Sequence, residues 1–374
     1  MGAQATNLRT AVKRVRVGRA REFDPHILVV LVILIMLGLI TLRYSSPFGD
    51  YEFKKQVLFS FLGFALFFGF TFLDYRELNH YALPIYLVAL VALLGVRIVG
   101  HSSLGATRWI SIAGFTFQPS EVSKLILIIA LASFIASRSD KMHKLSSYVL
   151  ALFAVAPLFF FVYIQPDLST ALLLVLITAG MLFLGGASKW QLGFTVLGGL
   201  ASIPLALHFL HGYQRERLIV FLHPSSDPLG AGYNITQAKI AIGDGGLFGD
   251  GFRATQGMLG YLPSSDTDFI FAIFAQMFGF VGAGLLLILY GYLIWRLIRA
   301  AVLVRDKFGQ MLLYGIATMF FVEVVVNIGM NIGIMPVAGI PLPFFSYGGS
   351  ALVTDFAALG VAESVIVRKK PLVF

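Results

Sequence analysis

Carboxylates placed where apolar runs begin are the residues of this chain most able to do chemistry. Gln118-Pro119-Ser120-Glu121-Val122-Ser123-Lys124 opens one run, Gln165-Pro166-Asp167-Leu168-Ser169-Thr170 a second, and Leu262-Pro263-Ser264-Ser265-Asp266-Thr267-Asp268-Phe269 a third. A charge at the centre of a bilayer costs roughly 2.5–3.5 kcal/mol on insertion scales, so ionisable groups bordering such runs need a reason. Structural reasons exist for each. Proline suits a first helical turn, and Glu121 and Lys124, three residues apart, share a helix face and can neutralise each other. Asp167 has the position of an N-terminal helix cap. Asp268, in the first turn of its helix, would be held ionised by the helix dipole. The chemical reading is that these groups, gathered on one membrane face, make a polar cleft able to act on a lipid headgroup.

That convergence depends on the elements carrying them. Of 374 residues, 58% are hydrophobic and 13% charged, against roughly 25% charge in a soluble domain. So little polar surface cannot cover so much apolar surface in water, and lipid is the expected solvent. Runs long enough to cross a bilayer lie near 26–42, 56–73, 81–99, 119–136, 148–164, 168–184, 190–208, 268–295, 310–334 and 350–367, ten in all. The expected fold is an all-α, multi-pass membrane domain over residues 1–374. The first run has no small-residue cleavage site and is expected to remain as the first span.

Charge orients the spans. With both termini inside, eighteen Lys and Arg fall in cytoplasmic segments, nine outside, and Lys124 within a span. This is the positive-inside pattern, so the net charge of +9 belongs to a membrane surface and not to a nucleic-acid partner. The absence of cysteine excludes disulfides and thiolate metal sites. Glu121, Lys124, Asp167 and Asp268 then meet the outer face, together with the one large loop, 209–267. That loop is glycine-rich around Gly243-Asp244-Gly245-Gly246, yet Ile235, Ile240, Ile242, Leu247 and Phe248 are too apolar for a free linker. Short interfacial helices are expected there. Pro336 to Ser350, with three prolines, three glycines and no charge, reads as a re-entrant segment closing the same face, since irregular backbone at membrane depth needs protein cover. The residues alone leave two classes open, an enzyme acting on an outer-leaflet lipid and a transporter.

These blocks resemble the SEDS family (shape, elongation, division and sporulation proteins) across nearly the whole chain. The resemblance is carried by Arg108-Trp109-Ile110 with Gln118-Pro119-Ser120-Glu121 and Lys124, by Gln165-Pro166-Asp167-Leu168, and by Asp227-Pro228 with Gly230, Gly232, Tyr233 and Gln237. It continues through Leu262-Pro263 with Thr267-Asp268-Phe269-Ile270-Phe271-Ala272, and Leu342-Pro343 with Ser346-Tyr347-Gly348-Gly349-Ser350. Thr255-Gln256 and Gly339-Ile340-Pro341-Leu342-Pro343 look more like the RodA elongation branch than the FtsW division branch.

The resemblance implies a peptidoglycan glycosyltransferase of the bacterial cytoplasmic membrane. It would polymerise lipid II, a disaccharide-peptide on polyprenyl diphosphate, with a class B penicillin-binding protein as partner. Asp268 would be the catalytic base. Arg108, Lys124 and either Arg215 or Lys239 would hold the diphosphate, with Glu121, Asp167 and Ser346 also at the substrate. A divalent cation, Mg or Mn, bridging Asp167 or Glu121 could share that work. Rival readings are a lipid II flippase and a non-catalytic scaffold of the cell-wall complex. The chain departs from the family at Gln276 and Met277, where two glutamates are usual, and at Ala238, where serine is common. Asp355, inside the last span, has no role in this reading.

Overall fold

The computed structural model describes residues 23–45, 49–99, 101–103, 106–112, 115–209, 212–223, 227, 230–253 and 266–369. Helices α1 (Pro25–Ser45), α2 (Gly49–Phe72), the short α3 (Tyr75–His80) and α4 (Ala82–Val99) lead into strands β1 (His101–Ser103), β2 (Ala106–Ile112) and β3 (Phe115–Phe117). Then follow α5 (Pro119–Ser137), α6 (Leu145–Ile164), α7 (Leu168–Leu184), α8 (Lys189–Phe209), α9 (Gly212–Leu222) and α10 (Ala231–Asp244). The chain closes with α11 (Ile270–Leu303), α12 (Lys307–Asn331) and α13 (Gly349–Val367). Each of the ten apolar runs overlaps a helix. Among the described residues seven helices are long and apolar enough to cross a membrane, and Ala82–Val96 and Leu168–Leu184 are shorter apolar helices.

Local chemistry sets the helix starts that matter for the site. Pro119 begins α5, where its missing N–H is no loss. Asp167 caps α7 by accepting from the Thr170 N–H at 3.3 Å, as its position predicts. Asp306 caps α12 by accepting from Gly309 N–H at 2.9 Å. Within the bundle α12 is central, packed against α11, α5, α7 and α13, while α13 lies along α2. The three strands form an antiparallel sheet in the order β1-β2-β3, which the apolar periodicity did not reveal because it lies between helices and is only three to seven residues wide.

The segment expected as a long loop holds two helices, α9 and α10. Ala238 and Ala241 of α10 pack on Phe269, Ala272, Ile273 and Met277. Beyond α10 the glycine-rich turn docks onto a break in α11 at Gly279, whose φ of 66° is reached easily only by glycine. The N–H groups released by the break are satisfied by the loop: Phe280 N donates to Gly246 O at 2.9 Å and Val281 N to Leu247 O at 3.0 Å. Asp250 N donates back to Gln276 O at 3.0 Å. Gln276 and Met277, the departures from the family pattern, are buried just before this break. Thr255-Gln256 and Leu262-Pro263 lie outside the described residues.

Residues 332–348 are irregular, as the proline and glycine content of Pro336 to Ser350 suggested; burial is confined to Ile340 and Leu342–Ser346, while 332–339 stay exposed or half-buried. Tyr290 Oη donates to Pro343 O at 2.7 Å, and Gln56 Nε2 donates to Ser346 O at 2.9 Å. At the opposite end of the bundle Arg296 pairs with Asp24, Asp24 N donates to Glu363 Oε1 at 2.6 Å, and Arg368 donates to Thr71 O at 2.9 Å. Those contacts tie α1, α2, α11 and α13 together at that end.

Candidate functional site

A polar cleft of about 400 Å³ opens among the starts of α2, α5, α7 and α13, the sheet, and the turn before α11. Glu121, Asp167 and Asp268 all line it, so three of the predicted residues converge. The cations that line it are Lys55 and Arg217, with Trp109 and Tyr347 as aromatic walls.

Asp268 stands one residue before the Phe269 cap of α11, not inside the first helical turn. The dipole therefore does not dominate its ionisation. Burial pushes its carboxyl up to about 6, with Arg217 pulling it down and Asp266 adding to the rise. The expectation of a dipole-stabilised, weakly basic carboxylate is thus corrected. The Asp266 carboxyl is raised too, again by burial.

Arg217 projects from α9 and donates from Nη1 to Val337 O at 3.2 Å. Both it and Asp268 approach Gly339: a Cβ at that glycine would sit 3.4 Å from Asp268 Oδ2 and 3.6 Å from Arg217 Nη1. With φ at +67°, Gly339 holds a backbone conformation that glycine reaches easily and other residues only with strain.

Asp167 joins α5 to α7. Besides capping α7 it accepts from Ser120 Oγ at 3.1 Å and Gln118 Nε2 at 3.2 Å. Lys124 is only 1% exposed and sits behind the cleft wall. Its Nζ lies 2.7 Å from Glu121 Oε2 and 2.5 Å from Glu323 Oε1. It is therefore committed to two carboxylates and does not line the cleft. A lysine whose three donors face buried acids is a structural tie before it is a phosphate ligand.

The other predicted residues are placed as follows. Arg215 is exposed on α9, and Lys239 is exposed on α10 with its side chain over Gly333; neither lines the cleft. Ser346 is buried, its Oγ donating to Thr267 O at 2.7 Å and accepting from Leu342 N at 2.8 Å. It shapes the wall. Arg108 stands on β2 beside Trp109, and its side chain lies outside what the structure describes. Among the described residues no group of three His, Asp or Glu is arranged to hold a metal. Glu121 is bonded to Lys124, and Asp167 accepts three hydrogen bonds.

Sequence reasoning passed over Arg217, Lys55, Glu323, Asn327 and Asn331. A signal was present for the last three: spaced four apart in an otherwise apolar helix, they form one polar stripe on α12. An apolar cavity of about 290 Å³ adjoins the cleft. It is lined by Leu168, Leu172 and Leu176 of α7, Val322 and Val326 of α12, and residues 335–338 and 340, and it shares Arg217 and Ala338 with the polar cleft.

The chain is similar to known proteins over most of its length. The chain is 38% identical over 353 residues to peptidoglycan glycosyltransferase MrdB of Escherichia coli K12, covering 94% of this chain and 95% of that protein. It is 36% identical over 364 residues to stage V sporulation protein E of Bacillus subtilis, covering 92% and 98%. A chain solved in a peptidoglycan synthase complex, in a study of how polymerization and crosslinking are coordinated, superposes with a TM-score of 0.81 at 31% identity, over 92% of this chain and 98% of its own. The rod shape determining protein RodA of Thermus thermophilus superposes with a TM-score of 0.71 at 30% identity, over 92% and 97%. The cell cycle protein family of FtsW, RodA and SpoVE matches residues 24–370, and the chain belongs to that family.

Proposed function

We propose that this chain is a peptidoglycan glycosyltransferase that joins lipid II units into β-1,4-linked glycan during cell elongation, at the outer face of the cytoplasmic membrane. The observation that carries the reading is the junction of two cavities at Arg217: a polar cleft holding Asp268, and an apolar cavity beside it. A substrate with a sugar-diphosphate head and a polyprenyl tail needs both environments within one molecule's length. Relatives named peptidoglycan glycosyltransferase support the same activity.

In this reading the acceptor sugar's 4-hydroxyl oxygen attacks the donor's anomeric carbon, and its proton passes to the Asp268 carboxylate. The bond from that carbon to the diphosphate oxygen breaks, and polyprenyl diphosphate leaves with the electron pair. One displacement inverts the α donor bond to a β product bond. Arg217, with Lys55 across the cleft, stabilises the charge on the departing diphosphate. A carboxyl near 6 is a stronger base than an ordinary carboxylate and is still mostly ionised at neutral pH. Positioning supplies the remaining advantage.

The topology proposed with it has ten spans and both termini in the cytoplasm, residues 1–374 forming one domain and 209–267 lying outside. The Arg- and Lys-rich ends of α11, α12 and α13 then face the cytoplasm, opposite the cleft. A class B penicillin-binding protein is the proposed partner.

A second reading, a lipid II flippase, draws on one observation: Lys124, Glu323 and Asp355 carry ionisable groups into the bundle beneath the cleft. The test is glycan polymerisation from purified lipid II in liposomes, with the penicillin-binding partner present, comparing the wild type with Asp268→Ala. Polymer from the wild type and none from the folded variant is expected. Lipid scrambling without polymer from either protein would favour the flippase.

A further inference from the structure

Three successive carbonyls in the turn that carries Asp268 are each held by a donor from elsewhere in the fold. Tyr347 N donates to Asp266 O at 2.9 Å, and Ser346 Oγ donates to Thr267 O at 2.7 Å. The third carbonyl, that of Asp268 itself, receives two donors from α12: Asn327 Nδ2 at 3.2 Å and Asn331 Nδ2 at 3.0 Å. Both asparagines are fully buried, where a side-chain amide is retained only if its hydrogen bonds are made.

The remaining bonds of these two amides are equally specific. Asn327 Nδ2 also donates to Ile340 O at 2.8 Å, so a single NH2 group bridges the Asp268 turn and the residue next to Gly339. Asn331 Oδ1 accepts from Ala272 N at 3.2 Å, in the first turn of α11. Asn331 Nδ2 reaches back to Asn327 O at 2.9 Å, the carbonyl one turn earlier on the same helix. One amide therefore fixes the start of α11, and the other fixes the spacing between Asp268 and the Gly339 wall.

We infer that Asn327 and Asn331 are positioning residues for the glycosyl transfer, a paired amide clamp on the main chain of Asp268 that aims its carboxylate into the cleft. The inference rests on the reading of Asp268 as the base. Neither asparagine touches substrate, since neither lines the cleft; both act through the backbone they hold. Without the clamp the turn is still tethered by Tyr347 and Ser346, so the expected effect is a loss of aim and not of fold. Misplacement of a reacting group by about 1 Å is enough to lower a rate by about 100-fold.

The experiment compares Asn327→Ala, Asn331→Ala and the double variant in the full-length chain with its penicillin-binding partner. Polymerisation kcat and KM for lipid II are measured per folded protein, the folded fraction being taken from thermal unfolding in detergent. The expected result is a kcat lowered by about 10-fold to 100-fold with KM within about twofold of wild type. Asn327→Leu and Asn331→Leu keep a side chain of similar size and remove the NH2 donor without adding a charge or an O–H, and stand in for any alanine variant that does not fold. Unchanged kcat per folded molecule in variants lacking the donors overturns the clamp. Asp268→Ala, assayed in parallel, separates the two ideas: if it keeps full activity the base assignment fails, whereas full activity in the asparagine variants beside an inactive Asp268→Ala removes only the clamp.

Discussion

Asp268 Oδ2 and Arg217 Nη1 flank Gly339, 3.4 Å and 3.6 Å from the position its Cβ would occupy, so the candidate base and the candidate diphosphate ligand share one short stretch of side-chain-free backbone. Their relation links proton transfer to leaving-group charge. The guanidinium draws the carboxyl down against burial, and the Val337 carbonyl holds that guanidinium where the polar cleft and the apolar cavity meet.

The pH profile of polymerisation follows from that balance. The base must be ionised to accept a proton, so activity rises with pH through an acid limb near 6, the value to which burial raises Asp268. Arg217 lowers that value and Asp266 raises it. Arg217→Leu is therefore expected to move the limb to higher pH, and Asp266→Asn to lower pH. Rates of glycan formation measured across the range in liposomes check both signs, and a limb unmoved by either change would refute the electrostatic account.

Stability carries the opposite dependence. A carboxyl whose folded value lies above its unfolded value of 3.8 binds its proton more tightly in the folded protein. Its stabilising contribution is full below about 4 and is lost as pH rises through about 6. Asp268→Asn is accordingly expected to raise the thermal midpoint in detergent at pH 7.5 while abolishing activity, and to give little gain at pH 4.5. A midpoint lowered at pH 7.5 would show that the carboxylate is stabilised by contacts that offset its burial.

Arg217 and Arg215 are two residues apart on α9 but differ in role. Arg217 lines both cavities, whereas Arg215 is exposed and lines neither. A hydrogen bond to a charged group is worth about 1.5–3 kcal/mol. Arg217→Ala is expected to lower kcat/KM for lipid II by about 10-fold or more on that basis, and Arg215→Ala to change it less than about twofold. Equal losses at the two positions would point to the overall charge of α9 and not to one guanidinium.

The buried tie of Lys124 with Glu121 and Glu323 predicts a large and asymmetric cost. Removing the single cation leaves two carboxylates facing each other out of water, and breaking a buried pair from one side costs about 3–5 kcal/mol. Lys124→Ala should therefore lower the unfolding midpoint sharply. A Lys124→Met, Glu121→Gln, Glu323→Gln triple change should recover much of it, because no member of the tie is then left as an uncompensated charge. Thermal unfolding of the purified proteins in one detergent measures both, and an unaltered midpoint in Lys124→Ala would show that the network is not a structural tie.

Much of this protein was legible in the chain itself. Membrane residence, the apolar runs that became helices, the Asp167 cap and the pairing of Glu121 with Lys124 depend on spacing and on transfer energies that neighbouring residues settle among themselves. The irregular backbone after Pro336 followed from proline and glycine content alone. Gathering Glu121, Asp167 and Asp268 at one cleft followed from orientation, since all three stand at the starts of helices that run the same way through the bundle. What tertiary structure decided was which side chains look into that cleft. Arg217 does and Arg215 does not, because two residues on a helix point about 200° apart and only packing says which side is inward. Lys124 turned from candidate ligand to structural tie once Glu323, 199 residues away, arrived against it. Asp268 likewise owes its weakened acidity to burial among segments remote in sequence, and its carbonyl is held by two asparagines on α12. No local pattern encodes these distances, because a contact between remote segments exists only after the bundle has closed.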